Sequence, residues 1–167
     1  ADDAVTIDAI YTADVSSTII GGQDDKLRYL DNFDVIAEAD LAALIGWQGA
    51  RAHVYVLNNM GAVANDGPAT LQGVDNIEVG SHRLRLYEAW IEQSLGSGDS
   101  GSSIRAGLYD VNSEFYATDA SGLLIAPAFG IGSEMAATGP RGPSIFPSTA
   151  LAARLQIAFG EAAYAQA

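Results

Sequence analysis

Apolar and polar residues alternate along most of this chain, and a side-chain period of two commits a segment to a strand with two unlike faces. Over residues 5–15 the odd positions carry Val5, Ile7, Ala9, Tyr11, Ala13 and Val15, against Thr6, Asp8, Thr12 and Asp14 on the even ones. The same alternation predicts strands over 27–41, 51–59, 84–95, 104–111 and 149–160, with a short seventh at 163–166. The sixth is the cleanest: Leu151, Ala153, Leu155, Ile157 and Phe159 oppose Arg154 and Gln156. One stretch breaks the pattern. Arg83 and Arg85 share parity with Tyr87 and Ile91, so either the strand leaves its apolar layer above Tyr87 or a bulge reverses its faces there.

The connections alternate in length. Those at 16–26, 60–83 and 112–148 are long, and those at 42–50, 96–103 and 160–162 are shorter. An up-and-down sheet with turns at one end and loops at the other gives this alternation, as outer-membrane barrels do. A soluble sandwich has no reason to alternate them. The turn chemistry agrees, with breaker-rich runs at 65–68 and 96–101. No internal repeat or domain linker interrupts the 167 residues.

Composition removes several classes. A formal charge of −13 argues against a phosphate-tracking nucleic-acid binder. No stretch approaches the roughly 20 apolar residues of a membrane helix. The 49% hydrophobic content argues against disorder. Without cysteine there is no disulfide, thiolate metal site or cysteine nucleophile. The start Ala1-Asp2-Asp3 carries no signal segment, so an exported protein is expected to be seen already processed.

Two settings suit such strands. In a soluble sandwich the apolar face meets a second sheet; in a barrel it meets lipid while the polar face lines water. The polar face holds Asp8, Arg28, Asp34, Glu38, Arg51, Glu88, Glu92, Arg105 and Arg154, a mixed-sign set that fits a wet channel wall and also a solvent-exposed sandwich face.

Particular strings then narrow the choice. Residues 31–47, 57–61, 71–78 and 85–93 resemble early hairpins of the carbohydrate-selective porins of the OprB type. The strongest match is Gly107-Leu-Tyr-Asp-Val-Asn-Ser-Glu-Phe-Tyr116, followed by Phe129-Gly-Ile-Gly132 and Gly142-Pro-Ser-Ile-Phe-Pro147. The resemblance implies an all-β, antiparallel up-and-down transmembrane barrel in the outer membrane that passes sugars such as glucose by passive diffusion. Such a barrel has about sixteen strands, within the even counts of bacterial single-chain barrels. Six or seven strands are therefore expected to form its N-terminal portion, a C-terminally truncated porin. A shortened paralogue assembling from several copies and a soluble β-sheet carbohydrate-binding module are the alternatives.

Within that frame the third long loop, 112–148, is expected to fold inward and narrow the channel. Its apolar run 123–129 suits a packed segment, and Asp110, Asn112, Glu114 and Arg141 are candidates to meet sugar hydroxyls. The competing role for these four is bonding the loop's own backbone. Glu88, Trp90 and Glu92 share a face, an aromatic ring between acids that suits sugars or simply walls the lumen. The two Glu lie roughly 13 Å apart along a strand, beyond the roughly 5–9.5 Å of glycosidase pairs, so no enzyme is expected. Arg28, Arg51, Arg105 and Arg154 are candidates for a ladder that sets selectivity, or for charge balance against Asp34, Glu38 and Glu88. Trp47, Tyr29, Tyr87 and Phe33 suit an interfacial aromatic belt. His53 and His82 lack metal-ligand spacing, Asp24-Asp25 lacks a calcium loop, and no cofactor motif is present.

Overall fold

The computed structural model describes residues 4–96, 101–140, 142–160 and 162–167. Strands β1 (Val5–Ser16), β2 (Arg28–Asp40), β3 (Ala50–Gly61), β4 (Arg83–Leu95), β5 (Ser102–Tyr109), β6 (Ala150–Ala158) and β7 (Tyr164–Gln166) form one sheet. Each strand pairs antiparallel with its neighbour in sequence, in the order β1-β2-β3-β4-β5-β6-β7. The sheet is all-β, antiparallel and unclosed, and its long connections all leave from one end.

Strand ends differ from the periodicity by a residue or two, for local reasons. β5 stops at Tyr109 rather than Val111 because the Asp110 side chain accepts the Asn112 N–H and opens a short 3-10 turn. β2 stops at Asp40 because that residue caps a one-turn helix, α1 (Leu41–Ile45). The Asp40 carboxylate accepts the amides of Ala42 and Ala43 at 2.8 and 3.3 Å, and Gly46 closes the turn at φ 76°.

Burial runs opposite to that of a water-soluble sheet. The face carrying the aliphatic side chains is open: Ile7 is 69% exposed, Leu84 72% and Leu151 84%. The polar face is covered, and Asn32, Asp34, His53, Glu88, Glu92, Arg105 and Arg154 are all buried there. In water a continuous apolar face of this extent is unstable against association, whereas in lipid it is the stable arrangement.

The parity conflict in β4 resolves as a bulge. Tyr55 pairs with Glu88 but Val56 pairs with Leu86, leaving Tyr87 as the extra residue. Below the bulge Ala89 and Ile91 face outward; above it Leu84 and Leu86 do, and Arg83 and Arg85 turn to the polar face. Tyr87 is thereby corrected from the outward face and the aromatic belt. It is buried, its ring packs edge-on to Tyr55 at 4.9 Å, and its hydroxyl donates to the Asp110 carboxylate. Tyr29, Phe33 and Trp47 do lie exposed.

Candidate functional site

Antiparallel register sets Arg51 opposite Glu92, Glu92 opposite Arg105, and Arg105 opposite Arg154, a row across β3 to β6. Glu92 holds the row together. It accepts Arg51 at 2.8 Å, Arg105 at 2.8 Å and Arg154 at 2.6 Å. From the 110–149 loop, Glu114 reaches back to accept Arg105 at 2.9 Å and Arg154 at 2.8 Å. Two carboxylates therefore clamp three guanidinium groups, leaving a surplus positive charge on this side of the polar face. Arg154 also donates to Ser103 Oγ at 2.5 Å. Arg28 stands apart at the loop end of β2, where it pairs with Asp24 at 2.8 Å. That guanidinium holds the Asp24 carboxyl down at about 2.

Trp90 lies on the polar face, but neither face of its ring is free. His53 stacks on one side at 4.6 Å and 5°, and the Arg105 guanidinium lies 3.8 Å from the ring centroid. Gly107 on β5, directly across from Trp90, makes this packing feasible. Its φ is 148°, and a Cβ there would come within 2.5 Å of Trp90 Cα and 2.3 Å of the Ala89 carbonyl oxygen.

The charge partners differ from those weighed on sequence. Asp34, Glu38 and Glu88 balance none of the arginines among the described residues. Asp34 accepts Asn32 Nδ2 at 2.7 Å and the Tyr55 hydroxyl at 2.9 Å. Glu38 and Glu88 flank His53, at 3.2 Å from Nδ1 and 3.4 Å from Nε2. Glu88 also accepts the Asp110 amide at 2.7 Å. Asn32, His53, Tyr55 and Asn59 thus belong to the site: periodicity puts Asn32, His53 and Tyr55 on the polar face, although only charged neighbours on these strands are named as candidates. Their even spacing with Asp34 and Arg51 was the available signal.

The 110–149 loop is fastened to this face at both ends. At its start, the Asp110 carboxylate takes the Tyr87 hydroxyl and the Asn112 amide, the latter at 2.8 Å. Burial, with the nearby Glu88 charge, pushes the Asp110 carboxyl up, while those two donors hold it back. At its close, Arg85 Nη1 donates to the Pro147 carbonyl at 2.7 Å and to Ser148 Oγ at 3.0 Å. Between these points, residues 122–125 and Pro127 come over β1 and β2 and roof a cavity of about 550 Å³. Of the loop candidates, Asp110 and Glu114 are fully engaged by protein partners. Asn112 lines the cavity, and its buried Oδ1 has no hydrogen-bond partner. Arg141 lies outside the described residues. Among the described residues no cluster suits a metal ion, and no helix is long and apolar enough to cross a membrane.

Comparison with known proteins places this sheet. A solved chain titled "High pH structure of Pseudomonas putida OprB" superimposes with a TM-score of 0.81 at 22% identity, over 99% of this chain and 40% of that one. That likeness establishes the barrel fold, of which this chain spans well under half the length. No protein of curated function matches. Residues 24–167 match the family described as "Carbohydrate-selective porin, OprB family". A family match over most of the sequence, on a sheet with an aliphatic outer face and a charged inner one, means that the chain belongs to the OprB family of carbohydrate-selective outer-membrane porins.

Proposed function

We propose that this chain forms part of the wall of an outer-membrane channel through which neutral sugars such as glucose diffuse passively. Arg51, Glu92, Arg105 and Arg154 line its water-filled side, and loop 112–148 narrows it. The observation that carries the reading is the inverted burial, with aliphatic side chains outward and a hydrogen-bonded ionic row inward. A transported sugar would exchange water for the polar groups of this wall at little net cost, and weak binding permits release. Catalysis has no support at the acids considered. Glu92 is held by three arginines, and Glu88 is committed to a backbone amide and His53.

A soluble carbohydrate-binding module would not leave Ile7, Leu84 and Leu151 open to water. Lipid on the outer face, and a partner for each open strand edge, belong to the proposal. Copies of the same chain are one source of that partner. Two measurements test it. The native protein should require detergent for extraction, and the full chain in a planar bilayer should give an ion conductance that glucose or maltose reduces. Release into buffer without detergent, or a conductance indifferent to sugar, overturns the reading.

A further inference from the structure

Asp31 breaks the aliphatic make-up of the outer face. Its parity in β2 sets it among the outward side chains, opposite Ala13 of β1, with Tyr29 two residues before it and Tyr11 diagonal to it across the strand pair. Both tyrosines are about half exposed, Tyr11 at 59% and Tyr29 at 48%. Their hydroxyls converge on one carboxylate oxygen. Tyr11 Oη lies 2.8 Å and Tyr29 Oη 2.9 Å from Asp31 Oδ2, and the two hydroxyl oxygens are 2.5 Å apart. Lys26 and Arg28, the basic residues nearest in sequence, pair with Asp24 instead.

This triangle is short of protons. Three oxygen–oxygen contacts have two hydroxyl hydrogens between them, so one contact always sets lone pair against lone pair. A donor seated on the triangle removes that repulsion, and the carboxylate selects a donor that is positively charged. An ammonium group carries three N–H donors, one for each oxygen. A trimethylated nitrogen has the charge and no donor.

The position of the triad says what carries the ammonium. β2 begins at Arg28, directly after the first long connection, so the triad stands at the loop end of the sheet. Long loops of outer-membrane barrels are extracellular, and tyrosines of the aromatic belt sit at headgroup level. Toward the bilayer centre the same face continues through Phe33, Val35 and Ile7, a surface for acyl chains. We infer that Tyr11, Tyr29 and Asp31 form a lipid-binding site on the outer face, which takes a primary-ammonium headgroup from the outer leaflet. The site rests on the outer face meeting lipid and lies on the opposite side of the sheet from the arginine row.

The test folds the full chain into vesicles of phosphatidylethanolamine, phosphatidylcholine and phosphatidylglycerol in equal parts with identical acyl chains. Native mass spectrometry after detergent extraction then counts the lipids retained. The ethanolamine lipid is expected to be retained roughly fivefold over the choline lipid, the worth of about one net hydrogen bond. Asp31→Asn should bring the two to parity, and Tyr11→Phe should reduce the preference, while the conductance of both variants in planar bilayers stays that of the wild type. Free ethanolamine should leave the retained lipid in place, because it brings no acyl chain. Equal retention of the two lipids by the wild type, an undiminished preference in Asp31→Asn, or displacement by free ethanolamine overturns the site. Preferential retention of phosphatidylglycerol that EDTA abolishes assigns the oxygens to a metal bridge and overturns the ammonium. Ethanolamine-lipid retention in a chain without sugar-sensitive conductance upholds the site and overturns the channel reading alone.

Discussion

Replacing Glu92 by Gln removes the charge on which three guanidinium groups converge. Arg105 and Arg154 have side chains only 8% and 4% exposed, and each meets Glu92 within 2.8 Å. Breaking a buried ion pair by removing one partner costs about 3–5 kcal/mol, because the other charge stays behind. Two features reduce this. Glu114 still accepts both arginines, and the Gln carbonyl keeps one acceptor. Arg51, 53% exposed, is screened by water and adds little. The expected loss is about 2–4 kcal/mol in unfolding free energy. Urea titration of the full chain folded into lipid vesicles measures it, with a Glu92→Gln/Arg154→Gln pair of variants closing a double-mutant cycle. The substitution also raises the surplus positive charge of the row, so the reversal potential in a salt gradient should move toward the anion. A stability change below about 0.5 kcal/mol, with no change in ion preference, would show that the row is an ornament of the wall and not a structural clamp.

Three other outcomes follow from the same geometry. Gly107→Ala should destabilise the sheet by about 3 kcal/mol or more, since the new Cβ collides with Ala89 and Trp90 backbone; equal yields of folded wild type and variant in vesicle refolding would refute this. Leu155→Arg on the outer face should cost about 2–4 kcal/mol in lipid while Gln156→Arg next to it costs little; refolding titrations that rank them the other way would invert the assignment of faces. Asp24 should titrate near 2 in the folded protein and near the ordinary carboxylate value in Arg28→Gln. Its folded value lies below its unfolded one, so its contribution is complete above the unfolded value and disappears as pH falls toward 2. Carboxyl titration followed by NMR checks both numbers.

Faces were legible from the sequence and partners were not. A period of two assigned Arg51, Glu92, Arg105 and Arg154 to one side without reference to any other strand. Which acid each arginine meets depends on register, and register is set by the strands jointly. Hence Asp34 and Glu38 were weighed as counter-charges, although Glu92 and Glu114 hold that role. Tyr87 was misplaced because a single bulged residue inverts parity, and only the paired strand shows where the slip occurs. Helix α1 left a readable trace in Asp40 and Gly46, a cap at either end of an apolar run, which the long strand-like alternation before it masked. The loop's return to the wall is a tertiary event, fixed by Tyr87 and Arg85 on β4 and by Glu114 reaching Arg154 on β6.

The indole of Trp90 is a packing element inside the polar face. His53, with the carboxylates of Glu38 and Glu88 at its two nitrogens, stacks on the ring, and the guanidinium groups of Arg105 and Arg51 lie 3.8 and 5.5 Å from its centroid. Arg105 is held by Glu92 and Glu114, and Glu88 by His53 and the Asp110 amide, so the ring stands where two separately satisfied clusters meet. The ring that looked like a landing place for sugar is thus occupied by protein partners, and the acidic cluster at His53 and the arginine row share it as one flat apolar contact.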